Sequence, residues 1–102
     1  MKPRYTLAPE AARDLVEIWR YLSEESGRET ADRIESVIRS KFAHLAEFPG
    51  AGHWRHDLTS ADVRFYSVYS YLIVYRPEAK PLEIVSILHG RRDVAAILSE
   101  RR

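Results

Sequence analysis

The apolar positions of this chain change their period about half-way along. Between Pro9 and Phe48 they recur at helical spacing, and from Val63 to His89 they crowd into short runs of β-branched and aromatic residues. Leu15, Ile18, Trp19 and Leu22 fall at i, i+3, i+4 and i+7, and Ala11 and Ala12 extend their stripe back toward Pro9, a residue suited to a first helical turn. The pattern predicts a helix that stops near Ser26-Gly27, with Trp19 in the core and Tyr21 off the stripe. Ala31, Ile34, Val37, Ile38 and Leu45 make a second stripe, flanked by Phe42 and ended by Pro49-Gly50. Ser26 and Glu29 have the spacing of a capping box for this second helix, with Thr30 as a rival cap. So short a link predicts an antiparallel hairpin with both apolar faces turned toward one sheet.

The sheet follows a loop over residues 49–61 that holds Pro49, Gly50, Gly52, Asp57 and Ser60. Val63 to Val68, Ser70 to Arg76 and Leu82 to His89 read as three strands of an antiparallel meander, with Pro77 to Pro81 as the second turn. Tyr5-Thr6-Leu7 is a short strand ahead of the first helix, and Asp93 to Ser99 predicts a short final helix through Val94, Ile97 and Leu98 before the charged tail Glu100-Arg101-Arg102.

Composition narrows the class. A chain of 102 residues makes one domain over 1–102 with a modest core. It has no Cys, so no disulfide or thiolate metal site enters the account. Met1 to Tyr5 holds no apolar leader segment and no run approaches a membrane span, so a cytoplasmic address is expected. A net charge of +1 is weak for a protein devoted to holding phosphates. Its distribution is uneven: residues 10–47 carry more acids than bases and residues 48–102 more bases than acids. Those bases are nearly all arginines, which recognise carboxylates and phosphates but do not act as proton-transfer bases.

Candidate chemistry gathers at the end of the last strand, in His89-Gly90-Arg91-Arg92-Asp93. His89 has a side chain suited to proton transfer, or it caps its strand through a ring hydrogen bond. Arg91 and Arg92 meet a partner, or form a solvated turn with one paired to Asp93. Arg64 is a cation inside an apolar strand, which marks a solvent-facing or binding surface. Tyr66, Tyr69, Tyr71 and Tyr75 offer rings for nucleobase stacking or, as more such residues do, bury the ring and leave the hydroxyl wet. His53, His56 and Asp57 lie in a loop with no helix to fix them, so no metal is assigned. Trp54 between them is a lid on the core or part of a partner surface.

Taken in order, several of these segments resemble the toxins of the RelE/ParE superfamily: Tyr5 to Ala11 leading into Asp14-Leu15 and Ile18 to Tyr21, Leu45 to Phe48 with Pro49 and Gly52, Arg64, the pair Tyr71 and Tyr75, and Ile87 to Asp93. The resemblance implies an α+β fold in which an N-terminal strand and a helical hairpin pack on an antiparallel β-sheet meander, with a short C-terminal helix. It implies the growth-arresting toxin half of a two-gene system, neutralised by a small DNA-binding antitoxin of ParD type that alone would bring it to operator DNA. Superfamily members cut messenger RNA on the ribosome or poison DNA gyrase. A ribonuclease would use His89, Arg64, Arg76 and Arg91, a set short of a second proton carrier. The His-Gly-Arg-Arg-Asp ending is more similar to the gyrase-directed ParE branch, for which His89, Arg91, Arg92 and Arg64 would contact the target and Trp54, Tyr66, Tyr75 and Leu98 the antitoxin. A third reading is a member that binds an antitoxin but is no longer toxic. No cofactor is implied by any of them.

Overall fold

One residue, Gly27, separates the two long helices of the computed structural model, which describes residues 4–101. Its φ of +90° is a conformation that side-chain-bearing residues rarely adopt, so glycine is required for so abrupt a reversal. Ser26 is the last residue of α1 (Pro9–Ser26), and α2 (Arg28–Glu47) starts with no side-chain cap. The predicted capping box therefore does not form, because the glycine link leaves no extended residue for Ser26 or Thr30 to cap from. Gly27 instead serves both ends: its N–H donates to Ser23 O at 3.1 Å and its carbonyl accepts from Ala31 N at 3.1 Å.

The sheet is mixed. The meander β2 (Arg64–Val68), β3 (Tyr71–Arg76) and β4 (Leu82–His89) is antiparallel as the alternation predicts, and β1 (Tyr5–Leu7) joins it parallel to β4, giving the order β1-β4-β3-β2. One face carries the helical hairpin over Leu15, Ile38, Phe42, Leu45, Ile73, Tyr75, Ile84 and Ile87. Phe42, read as flanking its stripe, is fully buried at the centre of this core. Trp19 departs in the opposite sense: it is half-buried at the seam of the hairpin, where Nε1 donates to Asp32 Oδ1 at 2.8 Å. An indole N–H needs a partner, and the seam supplies one that the apolar core does not.

The other face is covered as well. Val63, Phe65, Val74, Leu88 and Val94 form a second core, with Leu58, Ile97 and Leu98 packed against it. The cover consists of the 53–62 loop and α3 (Val94–Glu100), whose N-cap Asp93 accepts from Ala96 N at 3.2 Å. Among the described residues Asp93 makes this cap and no ion pair with Arg91 or Arg92.

The two faces are connected at the open edge of β4. After Leu7 the chain turns into α1, so β1 pairs only with Leu82 to Ile84 and the next part of β4, paired with β3 on one side, has no strand on the other. Asp14, on the apolar side of α1 and 4% exposed, fills that gap: Oδ2 accepts the Ile87 amide at 2.9 Å. Arg101, following α3 on the far side of the sheet, donates to both carboxylate oxygens at 2.7 and 2.9 Å and to Ser86 Oγ at 3.0 Å. One carboxylate thus joins both helical layers to the strand between them.

Without Arg101, Asp14 would hold a buried charge with one amide donor, so Arg101→Met should cost about 3 kcal/mol in urea unfolding. Adding Asp14→Asn should restore most of the loss, because the amide oxygen still accepts from Ile87 while the charge is gone. Equal instability of single and double variants would contradict this assignment.

Candidate functional site

Strict alternation along β4 would put His89 on the same face as Glu83 and Val85, away from the helical hairpin. The ladder with β3 corrects this, since Val74 pairs with Ser86 but Tyr75 pairs with Ile84, which leaves Val85 as an extra bulged residue. Beyond the bulge the faces are exchanged, and Ile87 and His89 lie on the helix side, opposite Ile73 and Tyr71. The bulge is what aims His89 at a large cleft.

That cleft, about 680 Å³, lies between α1 and the tip of the meander. Glu17, Ile18, Tyr21 and Leu22 make the helical wall; Tyr69, Ser70 and Tyr71 make the facing wall; Ile34 and Ile87 contribute apolar floor; and His89, Arg91 and Arg92 form one lip. Several contacts hold this lip. His89 packs edge-on against Tyr71, ring centroids 5.4 Å apart, and its Nδ1 accepts from Arg91 N at 3.1 Å, which leaves the ring proton on Nε2. Arg92 N donates to His89 O at 3.0 Å, and Gly90 N to Ser70 O at 2.8 Å, tying the lip to the β2–β3 turn. The guanidinium groups are left over: among the described residues neither Arg91 nor Arg92 makes an ion pair. Burial, with Tyr21 nearby, raises the Tyr71 phenol above the ordinary tyrosine value, so it is a neutral hydroxyl at pH 7.

The sequence candidates divide into two places. His89, Arg91 and Arg92 come together at the cleft with Tyr69 and Tyr71. Arg64 and Arg76 lie at the other end of the meander, beside Tyr75 and Glu83 rather than Tyr71, about 13 Å away along β3. Arg76 Nε donates to Glu83 Oε1 at 2.9 Å. Arg64 donates to Gly52 O at 2.8 Å and lies over the Trp54 ring at 4.4 Å, a cation–π contact that holds the loop rather than a phosphate. The four residues of the ribonuclease set therefore do not surround one point.

The loop residues are likewise accounted for. His53 exchanges both backbone hydrogen bonds with Phe65 at 2.8 Å, covering part of the free edge of β2. His56 stacks on Trp54. Arg55 donates twice to Asp57 and holds its carboxyl below the usual range. Trp54 stays partly exposed, and near α2 a second aromatic group forms from exposed Phe48 and His44 and half-buried Tyr66, with centroids 5.3 and 5.9 Å apart.

Tyr75, expected to face the antitoxin, is not at the surface. It is fully buried, donates to Pro49 O at 2.7 Å and accepts from Gly52 N at 2.9 Å. A Cβ on Gly52 would come within 2.5 Å of the Tyr75 hydroxyl, so glycine and tyrosine are fitted to each other. Leu98 is half-buried against the second core. Sequence reasoning passed over Glu17 and set Tyr21 aside; their position one turn apart from Asp14 and Ile18 on α1 was the available signal.

Residues 5–94 match the family model described as the ParE toxin of the type II toxin-antitoxin system parDE. The chain belongs to the ParE toxin family. It is 33% identical over 88 residues to Toxin ParE3 of Caulobacter vibrioides, covering 86% of this chain and 87% of that protein. Its fold resembles a chain of the chromosomal ParDE toxin-antitoxin system of P. aeruginosa, with a TM-score of 0.71, 20% identity, and 83% of this chain and 92% of that one covered. The ParE match spans all four strands, both long helices and the lip, ending at Val94 where α3 begins.

Tyr75→Phe should remove both hydroxyl bonds of the Pro49–Gly52 turn and cost about 1–3 kcal/mol at neutral pH. Burial also raises the Tyr75 phenol. A raised folded-state value means that stability is whole below the unfolded tyrosine value of about 10 and falls as pH rises through the folded one. Alkaline unfolding curves should therefore fall less steeply for Tyr75→Phe than for wild type.

Proposed function

We propose that this ParE-family toxin acts on DNA gyrase by binding it through the cleft between α1 and the β2–β3 turn, trapping the enzyme on cleaved DNA and arresting growth. The observation that carries the reading is the composition of the cleft: exposed tyrosines, an apolar floor and two arginines that make no ion pair among the described residues, which is what a protein-docking surface requires. Arg91, Arg92 and His89 are the contacting residues. Arg64, engaged with Gly52 and Trp54, leaves the target set.

A cognate antitoxin, of the DNA-binding ParD type, would neutralise the toxin in the cytoplasm and connect it to operator DNA. The exposed aromatic surface around the β2 edge, with Trp54, Tyr66 and Phe48, suits such a partner, and Leu98 would join it only if α3 shifted. Among the described residues no helix is long and apolar enough to cross a membrane. The ribosome-dependent ribonuclease remains the rival, weakened by the separation of Arg64 and Arg76 from His89.

The purified chain, incubated with gyrase, relaxed plasmid and ATP, should suppress supercoiling and accumulate linear DNA, while ribosomes translating a defined message in parallel leave that message intact. Arg91→Ala with Arg92→Ala should lower the potency about tenfold or more with an unchanged circular dichroism spectrum. A cut message with gyrase unaffected would replace this reading by the enzymatic one.

A further inference from the structure

Tyr69 is the one non-glycine residue among those described that has a positive φ, at 54°. It opens the two-residue turn that follows the Val68–Tyr71 pair, where the favoured residues are Gly, Asn and Asp. A bulky side chain is disfavoured there by its own Cβ, and it lacks the short polar group with which Asn bonds the local backbone. Among the described residues no side-chain contact of Tyr69 offsets the strain. The Tyr69 ring is 60% exposed, and among the described residues its side chain makes no hydrogen bond or aromatic stack. The turn is prevented from relaxing, since Gly90 N holds Ser70 O. Strain maintained at the rim of a cleft points to use of the side chain rather than to packing.

The helical wall carries a second exposed aromatic. Tyr21 is also 60% exposed and lines the same cleft, with Ile18 and Leu22 beside it. Arg91 and Arg92, which make no ion pair among the described residues, put positive charge at the lip, whereas the helical wall carries the Glu17 carboxylate, so a single anionic group is favoured at the lip and a continuous run of phosphates across the cleft is not.

We propose that Tyr69 and Tyr21 form an aromatic clamp across the cleft, gripping one apolar side chain of a gyrase segment whose adjacent carboxylate meets Arg91 and Arg92. The clamp rests on gyrase being the target and names the chemistry of the docked segment. It also explains why the turn keeps tyrosine where asparagine would be easier: fold stability is given up for contact.

The test sets stability against potency in the full-length toxin. Tyr69→Asn should raise the melting temperature by roughly 2–5 °C, because Asn tolerates the left-handed backbone and little packing is lost. The same variant should inhibit gyrase about tenfold less or worse, while Tyr69→Phe stays near wild type and Tyr21→Ser, on an exposed helical position, loses potency to a similar degree. Full potency of Tyr69→Asn, or a lowered melting temperature alongside lowered potency, would overturn the clamp. So would a loss confined to antitoxin binding, measured on the same variants by titration calorimetry. Wild-type toxin that leaves gyrase untouched would remove the target reading and the clamp together, whereas an active wild type with an equally active Tyr69→Asn removes the clamp alone.

Discussion

The Asp14 carboxylate is the point on which the layers of this small protein depend. Three unrelated segments converge on it: the amide of Ile87 in β4, the guanidinium of Arg101 after α3, and α1 itself. Each solves a problem created by another. The edge of β4 is freed when β1 becomes α1, and its amide needs an acceptor. A buried carboxylate that supplies the acceptor needs a cation, and the short α3, which could not stand alone, gains a fixed end when Arg101 supplies one. Breaking the ion pair would therefore loosen the cover over the second core as well as the strand edge. Arg101 is held in its charged form by the same contact.

The shape of the cleft is a consequence of how β4 is then drawn past that point. The bulge at Val85 exchanges the faces of the strand, so Ile87 enters the first core and His89 turns to the cleft. Gly90 fastens the following residues to the β2–β3 turn, and the arginines project from a backbone that is already organised. Preorganisation of this kind lowers the ordering cost of binding a partner. At the other end of the meander the arginines are consumed internally, one by Glu83 and one by the Gly52 carbonyl and Trp54.

Much of the fold was legible because it obeys simple periods. The two helical stripes, the three strands and the final helix follow from spacing, and the basic run at the end of β4 announces itself as residues that no core could hold. What escaped reading depends on contacts between distant segments. No local pattern pairs Asp14 with Arg101, although a carboxylate on an apolar stripe signals that some partner exists. Period-two reasoning fails at Val85 because a bulge adds a residue without changing composition. Tyr75 misled because its hydroxyl suggests a wet end, while the Pro49–Gly52 turn satisfies it internally. Tyr69 was one of four similar tyrosines until its backbone conformation set it apart.

Membership of the ParE family gives the chain its class, and the proposed working face, the cleft, lies apart from the aromatic surface at the β2 edge. Hydrogen–deuterium exchange on the toxin bound to gyrase tests that division most directly. The account predicts slowed exchange over residues 17–22, 69–71 and 89–92, with 50–64 unchanged. Protection centred on 50–64, with the cleft exchanging as in the free toxin, would contradict it.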